Sequence, residues 1–511
     1  MKKLKYIFIT IIATVVVISC SNFEDINTNP DKSTTVSPEM LATGVLVKTF
    51  KLSNNSADVY TQITLFNKHT TKLKADADPN QYYYSYWPWG SFGNYKYLTD
   101  LKRMVEFAES SGNLAEPSYK GLALFLKAYY GFKATLDMGD VPYSEAGMAE
   151  EGNVTPVYDK QADVFAEILV DLQQAESLFA DGVNFQGDMM FDGDASKWQK
   201  LCNALQLKVI QTMSKKATTE QKARFAAIVN AGNLMDSNDD NLRLVYTENA
   251  NATYPFWNGE NQRLDHAPSK LAVDMLKNYN DRRLFYFSEP AQAEIDGGKL
   301  ESDFDAYVGA PTELNSQQLS LNNQAGMYSL MNRRYVEFLD GDPLLYFTYS
   351  EQCFIIAEAI EEGWVSGDAQ QYYEDGVKAQ LEYYMNLPHT SGWVHGMEID
   401  QTYIDNYFTG AAAYATGGTK EDRLHQIWSQ RWLIDFFQGN GGNYPQVLRT
   451  GYPIYPLDPN TSLNPDDPNV YPKRWMYPTS EQTSNPDNYQ KAIDEQYGGV
   501  DNTIQTPWYL Q

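Results

Sequence analysis

The sequence is poor in cysteine, histidine and basic residues. Its 511 residues include 3 Cys and 5 His, and 40 Lys and Arg stand against 66 Asp and Glu, which gives a formal net charge of −26. Three cysteines supply no disulfide framework for a chain of this length. A strongly acidic protein repels polyanions, so the charge disfavours DNA and RNA as ligands.

Long hydrophobic runs are absent after the first twenty residues. Lys2, Lys3 and Lys5 precede an apolar stretch at 6–18, which has the layout of a secretory signal. Val17-Ile18-Ser19-Cys20 is similar to a bacterial lipoprotein box, so we predict that Cys20 is acylated. A plain membrane anchor or a signal with a chance cysteine is the alternative. We expect a mature protein that a lipid holds at a membrane without a spanning segment.

Catalytic and metal-binding motifs are also scarce. The chain contains no G-x-S-x-G, H-E-x-x-H or G-x-x-x-x-G-K-[ST] pattern. His389 and His395 are spaced poorly for helical metal ligands, which favours ordinary surface histidines. Asp192-Gly193-Asp194 begins like a calcium loop, but Lys197 and Asn203 at positions six and twelve exclude an EF-hand. We predict no cofactor and no catalytic residue, and an irregular structural calcium site stays open.

Apolar residues recur at steps of three and four along much of the chain, which predicts amphipathic helices. Sustained alternation is missing, so strands should be few and short. Pairs of such segments favour an all-α fold of tetratricopeptide-like helix pairs. One helix is expected to begin at a cap, Asp159, and to continue through Leu172. The other expected helices cover 39–72, 94–111, 117–136, 195–216, 219–231, 268–278, 343–362, 367–386, 399–409 and 420–438.

Both ends of the chain differ in amino-acid composition from the middle. Residues 20–37 are polar and turn-rich, as in a flexible leash. Nine of the 23 prolines lie between Pro453 and Pro507, where they disfavour long helices. We therefore predict a signal at 1–19, a lipid-anchored leash at 20–37, and a single helical domain at 38–511 with long irregular loops and a proline-rich C-terminal wrap.

Several segments, in order along the chain, resemble the SusD-like family of outer-membrane lipoproteins from the nutrient-uptake systems of Bacteroidetes. The sequence departs from the family pattern at one point, because it has the single Arg449 where the family often has two arginines. The similar segments are Cys20 with its acidic, Asn-rich leash, Met138-Gly139-Asp140-Val141-Pro142-Tyr143, Gly193-Asp194 through Asn203-Ala204-Leu205, Pro343-Leu344 through Ala357-Glu358-Ala359 with Gly363-Trp364, Gln430-Arg431-Trp432, Arg449-Thr450-Gly451-Tyr452-Pro453 and Pro472-Lys473-Arg474-Trp475-Met476-Tyr477-Pro478.

The resemblance implies a protein exposed on the outer membrane that binds an oligosaccharide and delivers it to a SusC-like TonB-dependent transporter. It also permits a peptide as the ligand. A glycoside hydrolase of the helical-toroid type is a further alternative, although carboxylate pairs such as Glu358 and Glu362 lie one helical turn apart and favour a solvated face. Most of the similar segments contribute to the scaffold, where Arg449 and Arg474 are expected to bind carbonyls of the irregular tail.

The densest aromatic run, residues 81–95, lies between two predicted helices. Pro88, Gly90 and Gly93 make it a loop. Aromatic rings can stack on the apolar faces of sugars while amides and hydroxyls bind sugar hydroxyls. In the SusD-like family the glycan platform is built partly from the loop at this point of the chain. The predicted ligand-binding residues are Trp87 and Trp89, then Tyr82, Tyr84 and Asn94; packing against the first helices is the alternative for each ring.

A second candidate loop covers residues 254–263. It combines aromatic and polar side chains, and Trp257 is predicted to oppose the first loop, with Arg263 nearby. Tyr328 is a weaker candidate, because a core position is the more frequent environment for such a residue.

Overall fold

The computed structural model describes residues 36–52, 65–83, 89–438 and 444–511. Its strands are β1 (Thr70–Lys72), β2 (Leu242–Leu244), β3 (His266–Pro268) and β4 (Leu344–Phe347). Its α-helices are α1 (Pro38–Phe50), α2 (Leu98–Ser110), α3 (Glu116–Met138), α4 (Gln161–Asp181), α5 (Ala195–Thr212), α6 (Thr219–Ala231), α7 (Glu260–Leu264), α8 (Lys270–Asn278), α9 (Arg283–Phe287), α10 (Gln292–Asp296), α11 (Ser316–Gln324), α12 (Arg334–Glu337), α13 (Tyr349–Glu361), α14 (Ala369–Met385), α15 (Gln401–Asp405), α16 (Lys420–Leu433), α17 (Tyr444–Thr450), α18 (Glu481–Ser484) and α19 (Pro486–Tyr497).

Neighbouring helices pack as pairs, and the predicted all-α fold of helix pairs is confirmed. α3 packs against α4, α4 against α5, and α13 against both α14 and α16. Within the described ranges the strands form two small antiparallel ladders, β1 with β3 and β2 with β4. Each ladder joins segments that are distant along the chain, so it ties loops together and does not form a layer of its own.

Helix α3 shows how the sequence sets these elements. Pro117 lies in its first turn, where a missing N–H costs nothing. Leu122, Phe125 and Leu126 are buried on one face. The helix ends at Gly139, whose φ of 99° is rare for other residues, and a side chain there would overlap Gln496 and Tyr497 of α19. Glycine therefore lets the C-terminal helix approach the end of α3.

Several predicted helices are shorter in the structure. The predicted helix at 343–362 begins instead with strand β4, every residue of which is buried. α13 then starts behind Thr348, whose Oγ1 accepts the N–H of Glu351 at 3.0 Å. In the predicted helix at 39–72, α1 ends at Phe50, β1 occupies 70–72, and residues 53–64 lie outside the described part. The predicted helices at 195–216, 399–409 and 420–438 end early, at Thr212, Asp405 and Leu433 respectively.

Asp159 does not cap α4, contrary to the prediction. Its carboxylate accepts the backbone N–H groups of Tyr143 and Ser144 at 2.9 and 2.8 Å. The side chain of Asp140 binds the start of α4 instead, by accepting the N–H of Gln161 at 2.8 Å. A bridge between Val141 and Asp159 holds the two segments side by side and directs Asp159 toward the turn at 143–144.

The C-terminal segment wraps the end of α3, as the prolines predict. The backbone N–H of Trp475 donates to the carbonyl of Asp137 at 2.6 Å, and the hydroxyl of Tyr477 donates to the carbonyl of Asp140 at 2.6 Å. The segment is not irregular throughout, because Pro486 begins the twelve-residue helix α19. Arg474 donates to the tail carbonyl of Asn502 at 3.1 Å, as predicted. Among the described residues Arg449 binds no tail carbonyl, contrary to the prediction; it pairs with the carboxylate of Glu358.

The sequence contains 37 tyrosines, and many of those that the structure describes lie in the core. Buried tyrosines place their rings among apolar side chains and donate their hydroxyls to loop carbonyls, such as Tyr119 to Gln186 at 3.0 Å and Tyr383 to Pro343 at 2.8 Å. This satisfies backbone acceptors that irregular chain leaves without partners. Cys202 and Cys353 are buried free thiols.

Candidate functional site

The first aromatic loop is described only in part, since Tyr84 and Trp87 lie outside the described residues, as does Cys20. Tyr82 lies at the base of the loop and is only 3% exposed. Its hydroxyl donates to the carbonyl of Leu314 at 2.6 Å, and burial raises its pKa to about 12. The geometry of Tyr82 fits the packing alternative better than direct contact with a ligand.

Trp89 is 37% exposed and lies on a backbone that is held firmly. It forms a parallel bridge with Met476 of the C-terminal segment, and the N–H of Gly90 donates to the carbonyl of Met476 at 2.6 Å. A side chain at position 90 would overlap Met138. The glycine thus permits the close contact that presents the Trp89 indole at the surface.

Asn94 follows Trp89 and is half-buried. Its carbonyl accepts the N–H of Tyr97 at 3.0 Å and so starts a short 3-10 turn at Tyr95–Tyr97. The rings of Phe92 and Tyr95 lie 5.3 Å apart beside it. A role for Asn94 in ligand binding stays a prediction.

The second candidate loop presents Trp257, whose side chain is 43% exposed. Backbone hydrogen bonds join this loop to residues 336–339: Tyr254 N–H donates to Leu339 O at 2.7 Å, and Asn258 N–H to Val336 O at 3.1 Å. These bonds hold Trp257 beside that segment, whereas Trp89 is held against Met476. The opposition of Trp257 to the first loop stays a prediction.

Other aromatic side chains contact Phe338, which lies in the segment to which the Trp257 loop is hydrogen-bonded. Phe338 stacks on His389 with ring centroids 4.0 Å apart and planes at 6°, and it meets the edge of Trp393 at 5.6 Å. The guanidinium of the exposed Arg333 lies 5.9 Å from the Trp393 ring centroid. We call these five side chains, Trp257, Arg333, Phe338, His389 and Trp393, the Trp257 surface.

Sequence reasoning missed most of the Trp257 surface. Its members come from three distant segments, and Phe338 and Trp393 are single aromatic residues without a local motif. His389, interpreted as an ordinary surface histidine, is exposed as expected, but its ring stacks on Phe338 and its φ is 59°. The only local signal was the mixed aromatic and polar composition around Trp257.

The arginines near the Trp257 surface are paired with carboxylates. Arg333 Nε lies 2.6 Å from Glu337, and the Asp340 carboxylate lies 2.8 Å from His389 Nε2. Arg263 forms a two-point pair with Glu260 at 2.7 Å, which holds the pKa of that carboxyl below its usual range. Such a balanced surface suits a polar, uncharged ligand better than a polyion.

Two predicted ligand-binding residues are buried. Arg263 is 7% exposed, and besides Glu260 it donates to the carbonyl of Met331 at 3.0 Å. Tyr328 is also 7% exposed, and it packs in a small second core with Leu73 and Leu319 while its hydroxyl accepts the side-chain amide of Asn322 at 2.7 Å. Arg263 can position the Trp257 loop from behind, and Tyr328 fits the core alternative.

The carboxylate pair Glu358 and Glu362 does not form a solvated face. Glu358 is buried and paired with Arg449, whereas Glu362 pairs with Lys420 at 2.8 Å. In the described part of the chain, no three His, Cys, Asp or Glu side chains cluster as metal ligands would. Among these same residues, no helix combines the length and apolar character needed to cross a membrane.

Comparisons with known proteins identify the family. A family model, SusD-like, described as starch-binding and associating with the outer membrane, matches residues 30–478. The chain belongs to the SusD-like family. Comparison with curated proteins gives no match.

Solved structures similar to this SusD-like protein include a SusD homologue from Bacteroides fragilis, which is 35% identical with a TM-score of 0.87. A Bacteroides vulgatus protein, whose name suggests an outer-membrane protein involved in nutrient binding, is 29% identical with a TM-score of 0.82. A chitin-binding protein is 25% identical with a TM-score of 0.72. Each alignment covers 93% of this chain and 100% of the other.

Proposed function

We propose that this SusD-like protein captures an oligosaccharide at the cell surface and passes it to a SusC-like TonB-dependent transporter without breaking a bond. Membership of a starch-binding, outer-membrane family supports this function, and so does the similarity to a chitin-binding protein. The observation that carries the proposal is the exposed indole of Trp257, on a loop that is hydrogen-bonded to the segment whose Phe338 stacks on His389.

A sugar ring can lie on the Trp257 indole while polar groups around it bind the hydroxyls. Asn258 and Asn261 are exposed on the same loop, and Arg333 is exposed beside Trp393. Stacking on an aromatic side chain contributes about 1 to 3 kcal/mol for a nucleic-acid base, and a sugar face uses the same apolar contact. A modest free energy of binding suits a receptor that must release its cargo. Trp89, exposed on its own anchored loop, is proposed as a further contact.

The proposed anchor is a lipid on Cys20, after removal of a signal at residues 1–19. The leash at 20–37 then leads to a single domain at 38–511. The described helices begin at Pro38, directly after the proposed leash. This arrangement would hold the ligand-binding surface close to the membrane that contains the transporter.

A glycan and peptide array tests the ligand class on protein lacking residues 1–20. We expect retention of one or a few related oligosaccharides. Binding only to peptides would contradict the glycan proposal while leaving the family intact. Incubating the same glycans with the protein and measuring new reducing ends tests for hydrolysis, and their appearance would contradict a receptor that leaves its ligand whole.

A further inference from the structure

A cavity of about 340 Å³ lies between α3, α5, the β2–β4 ladder, α17 and the C-terminal segment at 472–475. This volume falls in the range of small-molecule sites, about 300 to 1,000 Å³. Neither Trp89 nor any member of the Trp257 surface lines it. The cavity is therefore separate from the proposed glycan-binding surface.

The walls of the cavity are mainly apolar. The exposed Lys133 of α3 also lines it, so the cavity reaches solvent beside that side chain. An occupant can thus enter without unfolding the helices. The apolar lining includes Phe125, Tyr129, Phe132, Leu201, Leu205 and Trp475.

The charged groups of the lining are mostly positive. Among the described lining side chains six are basic and one, Asp137, is acidic, although the whole chain carries a net charge of −26. Four of the basic groups are paired with carboxylates: Lys208 and Arg431 with Glu351, Arg449 with Glu358, and Arg474 with Asp501. Lys473 has no ion pair within the described ranges, and its Nζ donates to Thr506 Oγ1 at 3.1 Å. The ammonium of Lys473 is thus available to an anion in the cavity.

Buried polar atoms of the lining also lack partners. Within the described part of the protein, Tyr509 Oη and Arg474 Nη2 have no hydrogen-bond acceptor although both residues are buried. Leaving such buried donors unsatisfied destabilises the fold, and more so when the donor is charged. A carboxylate provides the acceptors that an arginine and a phenol bind well.

We propose that this cavity binds a small organic carboxylate with an apolar body. The body lies against the aromatic and leucine side chains, and the carboxylate faces Lys473, Arg474 and Tyr509. The occupant would bridge α3 and the C-terminal segment, which together form the wall at this end of the fold. No covalent step is involved.

The test uses calorimetric titration of the purified full chain with 3-phenylpropionate and with 3-phenylpropanol, which has the same apolar body without the charge. We expect saturable binding of one equivalent of the acid at millimolar concentration, and binding of the alcohol at least about tenfold weaker. Absence of saturable binding of the acid, or equal affinity for acid and alcohol, would overturn the proposal.

Two variants place the binding in the cavity. Lys473→Gln should raise the Kd of the acid about tenfold or more, and Leu205→Phe should abolish binding by filling the space. Lys491→Gln, on the exposed face of α19, serves as the matched control and should bind as the wild type does. Equal affinity of Lys473→Gln and wild type overturns the proposal, even if Leu205→Phe does not fold. Glycan retention should be unchanged in both variants, which separates this site from the glycan surface.

Discussion

Lys68 provides a test of the core beneath the first aromatic loop. Its side chain is fully buried, donates to the carbonyl of Gln81, and places Nζ 3.8 Å from the Tyr83 ring centroid. Burial lowers the Lys68 pKa from 10.5 to about 7, although Glu313 and Asp78 oppose this shift. Between pH 7 and 10.5 the unfolded chain therefore binds more protons at this group than the folded protein does.

The free energy of unfolding should consequently rise with pH in this window. Each pH unit contributes about 1.4 kcal/mol, so Lys68 adds about 4 kcal/mol from pH 7 to pH 10. Urea unfolding followed by tryptophan fluorescence measures this in wild type and Lys68→Met, and the difference between the two isolates the group. His395, whose pKa is raised, has the opposite slope but is present in both proteins and cancels.

The control is Lys491→Met, because the Lys491 side chain is 71% exposed on α19. Its difference from wild type should stay flat over the same pH range. A flat difference for Lys68→Met as well would refute the argument, because it would mean that Lys68 keeps an ordinary pKa in the folded protein.

Three further predictions concern the scaffold and the anchor. Arg449→Met should lower the free energy of unfolding by about 3 to 5 kcal/mol, because it removes an ion-pair partner of the buried Glu358; urea unfolding close to wild type would contradict this. Tyr477→Phe removes the hydroxyl that donates to the Asp140 carbonyl, so the free energy of unfolding should fall by about 1 to 3 kcal/mol. Thermal unfolding measures this, and an unchanged melting curve would show that the bond does not stabilise the fold. Cys20→Ala should move the protein from the membrane fraction to the soluble fraction, and continued sedimentation with membranes would rule out the lipid anchor.

The helical part of the fold follows from local patterns. α6 occupies 219–231, as predicted, because its signals are local: Thr218 caps it, and Phe225, Ile228 and Val229 lie on one face against the core. Strand β4 was missed because its partner β2 is far away in the sequence, and its four buried residues are apolar enough to continue a helix. Long-range pairing overrides local propensity at such positions.

The candidate site was less predictable for the same reason. Composition identified aromatic loops but could not separate the exposed Trp257 from the buried Tyr82, because burial depends on distant segments such as that of Leu314. Phe338 and Trp393 have no signal in their own neighbourhoods, and only the folded chain brings them together.

Affinity electrophoresis in gels containing the glycan that the array identifies tests whether the Trp257 indole binds the oligosaccharide. Trp257→Ala is compared with wild type and with Leu114→Ala, which removes an exposed apolar side chain elsewhere. We expect Trp257→Ala to lose much of its retention, with an unchanged melting curve and unchanged mobility in glycan-free gels, while Leu114→Ala behaves as wild type. Full retention of Trp257→Ala would contradict the claim that the Trp257 surface binds the oligosaccharide.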